Sequence, residues 1–212
     1  MVLTLVRTPR PLAMGAVAHD GYLPVNWAEQ CVLSGGVDGL LQLWDLQGCG
    51  LRRELRGGRG PALCAVVDWA AQLAFVGTSD WSLDIWDLEQ GLCSQRLRAH
   101  AGPVLCICAD FGGKLALSGS HDGTLALWDL EKAAELRVLR GHGGWVTCVA
   151  AQWASRRALS GSCDRSMRFW DLETGLTLDV LRGHPSIVMC VDVEWPTQRA
   201  LIGYGNGSLW LW

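Results

Sequence analysis

The sequence predicts an all-β protein built from a repeated unit of 42 residues, and three observations support this fold class. First, a tryptophan series and a cysteine series both recur with this spacing. They consist of Trp44, Trp86, Trp128, Trp170 and Trp212, and of Cys64, Cys106, Cys148 and Cys190. Second, each unit contains short apolar runs about ten residues apart, which is typical of β-strands. Third, turn dipeptides such as Asp38-Gly39 and Asp122-Gly123 separate the second run from the third and favour a tight hairpin.

Composition excludes several function classes. The 212 residues carry a formal net charge of −3, so an electrostatic grip on nucleic acid or on an anionic membrane is not favoured. No apolar run approaches the roughly 20 residues of a transmembrane helix. The nine cysteines lack the paired spacing of a secreted disulfide framework or a zinc site. We therefore expect an intracellular chain in a reducing compartment, the cytoplasm or the nucleus, with no nucleic acid or membrane as partner.

The motifs within the repeat resemble those of a known family. They are Gly141-His142, Gly183-His184, the Ser-Gly-Ser-x-Asp segments at 118–122 and 160–164, and Trp-Asp at 44–45, 86–87, 128–129 and 170–171. On these residues the chain resembles the WD-repeat β-propellers over about residues 16 to 212. The resemblance implies blades of four antiparallel strands, arranged radially and packed against their neighbours.

We expect residues 1–212 to form a single propeller domain of about five blades. The units lie near residues 16–57, 58–99, 100–141, 142–183 and 184–212. The last unit ends at Trp212 within its third strand, and the apolar run Val2–Val6 within residues 1–8 is predicted to supply the outer strand of that blade. Two arrangements stay open, namely a closed five-bladed ring and a fragment or arc of a larger propeller.

Histidine, serine and aspartate occur together in two sets, and each set has the residue types of a catalytic triad. The sets, each with its tryptophan, are His100, Ser118, Asp122 and Trp128, and His142, Ser160, Asp164 and Trp170. A catalytic set is needed once in a site, whereas these recur with the repeat. The resemblance implies a structural tetrad in which the four buried polar groups satisfy one another. Elsewhere it is incomplete, because Gly58 replaces the histidine, and Val76 and Ile202 replace the serine.

The cysteine series could be interpreted as a channel-lining metal site, since four thiolates suit zinc. Structural zinc requires its thiolates to converge to about 2.3 Å from one ion, whereas equivalent positions on separate blades are spread around an axis. Cysteine also behaves as a small buried hydrophobe. We therefore predict no metal and no cofactor.

The family resemblance implies a non-enzymatic scaffold that binds a protein or peptide. Binding is expected on the rim formed by the inter-blade loops and by the hairpins between second and third strands. Residues that break the repeat there are the candidates for partner binding, because residues shared by all blades hold the architecture. These candidates are Trp81, His121, Trp145 and Arg165. Exposed tryptophan and arginine are enriched in binding hot spots. In the simpler interpretation, Trp145 packs on its own loop and Trp81 shields an edge.

Two other function classes remain as alternatives. A small-ligand or lectin-like module with one site per blade would require the same polar and aromatic set on every blade, but the rim positions differ between units. An enzyme is less favoured still, because the sequence contains no non-repeating cluster of acid, base and nucleophile. It also lacks a phosphate-binding glycine-rich loop that opens a helix.

Overall fold

The computed structural model describes residues 24–212, which form nineteen β-strands and two short 3-10 helices. The strands form five antiparallel sheets, and each sheet consists of strands that are consecutive in the chain. Four sheets have four strands and the last has three. The predicted all-β class with four-stranded antiparallel blades is confirmed, and we call the sheets blades 1 to 5 in chain order.

The strand boundaries follow the 42-residue period. Blade 1 contains β1 (Val25–Asn26), β2 (Cys31–Gly35), β3 (Leu41–Asp45) and β4 (Gly50–Leu55). Blade 2 contains β5 (Ala62–Asp68), β6 (Leu73–Thr78), β7 (Leu83–Asp87) and β8 (Leu92–Leu97). Blade 3 contains β9 (Val104–Asp110), β10 (Leu115–Ser120), β11 (Thr124–Asp129) and β12 (Ala134–Arg140). Blade 4 contains β13 (Val146–Gln152), β14 (Arg157–Ser162), β15 (Met167–Asp171) and β16 (Thr177–Leu181). Blade 5 contains β17 (Val188–Glu194), β18 (Arg199–Tyr204) and β19 (Leu209–Leu211). The 3-10 helices Trp153–Ser155 and Trp195–Thr197 connect the first two strands of blades 4 and 5.

Neighbouring blades pack face to face through apolar layers. The aromatic residue that follows the first strand of a blade packs against the preceding blade in four cases, Trp69, Phe111, Trp153 and Trp195. The third-strand tryptophans Trp86, Trp128 and Trp170 are buried in three of the same layers. The repeated aromatic series therefore build the contacts between blades.

Glycine in the second strand permits this close approach. A Cβ atom at Gly161 would lie 2.4 Å from Cγ1 of Val188 in blade 5 and 2.7 Å from Sγ of Cys148. Gly119 has the equivalent neighbours one blade earlier, at 2.6 Å from Val146 and 2.7 Å from Cys106. These distances are shorter than carbon contacts allow, so a larger residue at either position would push the blades apart.

The hairpin between the second and third strands contains a residue with positive φ in every blade. The glycines Gly39, Gly123 and Gly207 have φ values of 77°, 81° and 82°. Trp81 and Arg165 occupy the same position in blades 2 and 4, with φ values of 73° and 60°. This left-handed conformation costs a non-glycine residue about 1–2 kcal/mol. The hairpins that depart from the Asp-Gly sequence thus keep the glycine conformation.

The described residues are consistent with a five-bladed β-propeller or an arc of one. Within residues 24–212 no hydrogen bond joins blade 5 to blade 1. The segment Val2–Val6, which the sequence predicts as the closing strand, lies outside the described residues. In this part of the chain no helix is long and apolar enough to span a membrane.

Candidate functional site

Each inter-blade loop is hydrogen-bonded to the hairpin of the blade that it enters. His121 N–H donates to the carbonyl oxygen of Pro103 at 2.9 Å, and Cys163 N–H donates to that of Trp145 at 2.9 Å. We call this side of the molecule the hairpin rim. It comprises the loops 56–61, 98–103, 140–145 and 182–187 and the hairpins 36–40, 78–82, 120–124, 162–166 and 204–208. The turns on the other side form the opposite rim.

The predicted tetrad residues of blade 4 form a continuous hydrogen-bonded chain. Trp170 Nε1 lies 2.8 Å from Ser160 Oγ, and the same oxygen lies 2.8 Å from His142 Nε2. His142 Nδ1 lies 2.9 Å from Asp164 Oδ2. The backbone N–H of Gly143 also donates to Asp164 Oδ2, at 2.9 Å. One aspartate therefore holds the inter-blade loop through both a side chain and the backbone.

The histidine, serine and aspartate atoms of blade 4 are connected in the order of a catalytic triad, but their surroundings prevent nucleophilic chemistry. Ser160 is fully buried, so a substrate does not reach its oxygen. That oxygen also accepts the indole N–H of Trp170, which occupies a lone pair that an attacking oxygen would use. The arrangement satisfies buried polar groups instead of exposing them.

Burial and hydrogen bonding favour one protonation state of this chain. Burial lowers the pKa of His142, although Asp164 opposes this effect. Burial alone would raise the pKa of Asp164, but hydrogen bonds from Ser166, Gly143 and His142 outweigh it and hold that pKa well below its usual range. At neutral pH the histidine is therefore neutral and the aspartate ionised, which lets every donor in the chain meet an acceptor.

In blade 3 a threonine is inserted into the chain. His100 Nε2 lies 2.8 Å from Ser118 Oγ, and Trp128 Nε1 donates to the same oxygen at 2.8 Å. His100 Nδ1 lies 3.1 Å from Thr124 Oγ1 but 3.5 Å from Asp122 Oδ2. The hydroxyl of Thr124 donates to Asp122 at 2.6 Å. The link from histidine to aspartate, which the resemblance implies as direct, runs mainly through Thr124.

Blade 2 lacks both the histidine and the serine, and a different polar network occupies the site. Trp86 Nε1 is buried and has no hydrogen-bond partner among the described residues. Asp84 is fully buried, and Arg96 donates to both of its carboxylate oxygens at 2.8 Å. A further nitrogen contact, at 3.3 Å, joins Arg96 to the carbonyl oxygen of Gly57 in the inter-blade loop. This ion pair thus supports the loop that enters blade 2, as histidine supports the equivalent loops that enter blades 3 and 4.

Sequence reasoning missed this network, although a signal was present. Asp84 interrupts the apolar strand Leu83–Asp87 at a position where blade 3 has Ala126. A carboxylate in such a strand requires a partner, because an unpaired buried charge is costly. The same unit contains Arg96 where blade 3 has Val138. Opposite charges at two positions where blade 3 has apolar residues could have predicted the ion pair.

Two of the four predicted partner-binding residues are in direct contact. The imidazole of His121 and the indole of Trp145 stack with ring centroids 3.9 Å apart and an interplanar angle of 28°. His121 lies on the hairpin of blade 3, whereas Trp145 lies at the entry to blade 4. Trp145 nevertheless stays 47% exposed. It therefore packs across the boundary between two blades, and not on its own loop.

The other two predicted residues lie on separate hairpins of the same rim. Arg165 is exposed and follows Asp164. It lies in the hairpin whose Cys163 N–H donates a hydrogen bond to the carbonyl oxygen of Trp145. Trp81 is 48% exposed on the hairpin of blade 2. Within the described residues no aromatic contact joins Trp81 to His121 or Trp145. The structure thus brings together His121 and Trp145, places Arg165 in the hairpin that is hydrogen-bonded to the backbone of Trp145, and leaves Trp81 on the hairpin of blade 2.

Two members of the cysteine series, Cys64 and Cys106, lie against the following blade. Cys64 Sγ is 3.6 Å from the carbonyl oxygen of Val104, and Cys106 Sγ is 3.8 Å from that of Val146, each on the following blade. Each thiol thus faces the following blade. In the described part of the chain, no group of three or more histidine, cysteine, aspartate or glutamate residues could hold a metal ion.

The repeated blades and their polar chains define a repeat protein of the β-propeller type. A comparison with protein families gives a match to the WD domain, G-beta repeat, over residues 91–129 and 133–171. Each match runs from the fourth strand of one blade to the third strand of the next. The predicted resemblance is therefore confirmed at residues 91–129 and 133–171, which match a kind of repeat that generally serves in protein-interaction scaffolds. No curated protein matches the chain.

Replacing Asp164 by Ala should lower the free energy of unfolding by about 1–3 kcal/mol, because His142 and the Gly143 N–H lose a buried acceptor. Among the described residues Asp38 accepts one hydrogen bond, from the N–H of Leu40 at 3.1 Å, so Asp38→Ala should cost less. Urea denaturation measures both changes. Equal losses at the two positions would show that the tetrad contributes nothing beyond the turn.

Replacing Val76 by Thr should raise the free energy of unfolding by about 1 kcal/mol, because its hydroxyl supplies an acceptor for the buried Trp86 Nε1. The precedent is Ser34 in blade 1, which accepts from Trp44 Nε1 at 2.8 Å. The matched control is Val146→Thr, which should be destabilising because that buried position faces an apolar layer. A loss of stability in Val76→Thr as large as in the control would contradict the prediction.

Proposed function

We propose that the chain is a non-enzymatic scaffold that binds a partner protein or peptide through the hairpin rim around Trp145. The observation that carries this proposal is the stack of Trp145 on His121, an exposed aromatic pair that bridges two blades. Tryptophan held in place at a surface loses little conformational entropy when a partner binds, which favours affinity. The stack is therefore suited to act as a preformed anchor.

Blade packing does not require a tryptophan at position 145. The equivalent positions are Pro61, Pro103 and Ile187, and each of their blades has the same antiparallel order of its first three strands. The backbone contact made by Trp145 recurs with a proline, because Ser79 N–H donates to the carbonyl oxygen of Pro61 at 3.0 Å. The large side chain thus adds exposed apolar area without an architectural need, as expected for a binding residue.

Backbone strain on the same rim supports the proposal. Trp81 and Arg165 have positive φ where three other blades have glycine. Glycine would fill these positions at lower conformational cost, so the hairpin fold does not require these two side chains. Both side chains are exposed, and they extend the candidate surface around Trp145 to blades 2 and 4.

The alternatives receive less support. A lectin-like module would need the same binding residues on each blade. The aromatic stack is formed by His121 and Trp145, whereas the residues 42 positions later, Cys163 and Ile187, have no aromatic ring. An enzyme of the Ser-His-Asp kind would need an accessible serine, whereas Ser118 and Ser160 are buried. We further propose a reducing compartment, the cytoplasm or the nucleus, because Cys49 is an exposed free thiol.

Replacing Trp145 by Ala should weaken partner binding about 30-fold, because a central aromatic anchor typically contributes 2 kcal/mol or more. The matched control is Trp27→Ala, which removes a 72% exposed tryptophan in the turn between β1 and β2 on the opposite rim. Partners are captured from cell extract, purified, and their dissociation constants measured with both variants. Binding that survives Trp145→Ala but not Trp27→Ala would place the functional face on the other side.

Replacing Trp81 by Gly should raise the free energy of unfolding by up to about 1 kcal/mol, because the left-handed strain at this residue disappears. The same variant should bind the captured partner more weakly than the unchanged chain. Gly123→Ala provides the reverse control, since it adds a side chain at φ 81° and should be destabilising. A Trp81→Gly variant with lower stability and full binding would remove Trp81 from the proposed surface.

A further inference from the structure

The two rims of the molecule differ strongly in charge. The hairpin rim as defined above contains six arginines and four aspartates, with no lysine or glutamate. The opposite rim consists of the turns 26–30, 45–49, 68–72, 87–91, 110–114, 129–133, 152–156, 171–176 and 194–198. These turns contain eleven acidic and three basic residues. The near-neutral total thus conceals a cationic hairpin rim and an anionic opposite rim.

Three of the four aspartates on the hairpin rim direct their carboxylates toward the protein. Asp122 accepts the backbone N–H of Ala101 at 2.7 Å, and Asp164 accepts that of Gly143 at 2.9 Å. Asp80 lies 3.6 Å from the Arg98 guanidinium. The Asp122 and Asp164 side chains are only 13% and 18% exposed. Their carboxylates are therefore hydrogen-bonded inside the protein and largely turned away from solvent.

Arginines beside the stack have no such partner. Arg140 ends strand β12. It is paired with Thr124, and Thr124 lies in the hairpin that carries His121. Arg165 lies in the hairpin that is hydrogen-bonded to the backbone of Trp145. Both residues are exposed, and neither forms an ion pair within residues 24–212. Two guanidinium groups without an ion pair thus lie on the segments next to the stack, Arg140 at the start of the loop that carries Trp145 and Arg165 in the hairpin to which that loop is hydrogen-bonded.

We propose that the Trp145–His121 stack, with Arg140 and Arg165 on its two sides, binds an acidic peptide segment of a partner protein. This inference rests on the proposed function and adds the chemistry of the partner. Arginine pairs with carboxylates through parallel N–H···O hydrogen bonds, and the indole face takes an apolar side chain between them. The anionic opposite rim repels the same segment, so charge also selects which face the partner reaches.

Fluorescence anisotropy with purified full chain tests the proposal. The probes are a labelled peptide of alternating glutamate and leucine, its counterparts with glutamine or lysine in place of glutamate, and a labelled oligothymidine. The glutamate peptide should bind at least about 10-fold more tightly than the glutamine and lysine peptides, and more weakly as salt is added. Arg140→Gln and Arg165→Gln should each weaken its binding about fivefold.

The matched control is Arg156→Gln on the opposite rim, because Arg156 is also exposed and has positive φ, at 53°. It should leave the affinity for the glutamate peptide unchanged. The proposal is overturned if the glutamate peptide does not bind, if Arg140→Gln and Arg165→Gln bind it as well as the unchanged chain does, or if oligothymidine binds in its place. If Trp145→Ala loses a captured partner that both arginine variants keep, the scaffold function stands and the acidic chemistry is wrong.

Discussion

The close approach of neighbouring blades is the constraint on which the rest of the structure depends. Glycines such as Gly119 and Gly161 leave room for a valine of the next blade and a cysteine of their own blade, at distances that exclude a further carbon atom. The face-to-face spacing of the sheets is thereby fixed. Because that spacing is fixed, a loop entering one blade lies within reach of the hairpin of the previous blade. The stack of Trp145 on His121 exists for this reason.

The blades satisfy their buried polar groups in different ways while keeping the same geometry. Blade 4 uses the histidine chain from Trp170 to Asp164, and blade 2 uses the ion pair of Asp84 with Arg96. A buried ion pair usually adds little net stability compared with apolar side chains of similar size, because both charges lose their hydration. Its contact with the carbonyl oxygen of Gly57 suggests that its main contribution is to fix the inter-blade loop. Loop position is thus maintained even where the family motif is lost.

The 42-residue period, the strand order within blades and the hairpin positions were predictable from sequence, because each depends on a local pattern that recurs. The sequence also identified the candidate rim residues, since they break that pattern. It did not predict the insertion of Thr124 between His100 and Asp122, which depends on distances of a few tenths of an ångström. It did not predict that Trp145 crosses to the preceding blade either, since a side-chain direction across a packed interface is set by tertiary structure. Closure of the ring involves Val2–Val6, outside the described residues.

The cationic character of the hairpin rim follows from the same hydrogen bonds that hold the blades together. In blades 3 and 4 the tetrad has an anionic acceptor at the hairpin, and this acceptor turns inward to meet loop N–H groups, as Asp164 does with Gly143. Arg140, at the end of strand β12, then faces solvent without an ion pair within residues 24–212. A rim that starts from nearly balanced charges therefore presents mostly guanidinium groups. Architecture in this way shapes the charge of the proposed recognition surface, which has Trp145 at its centre.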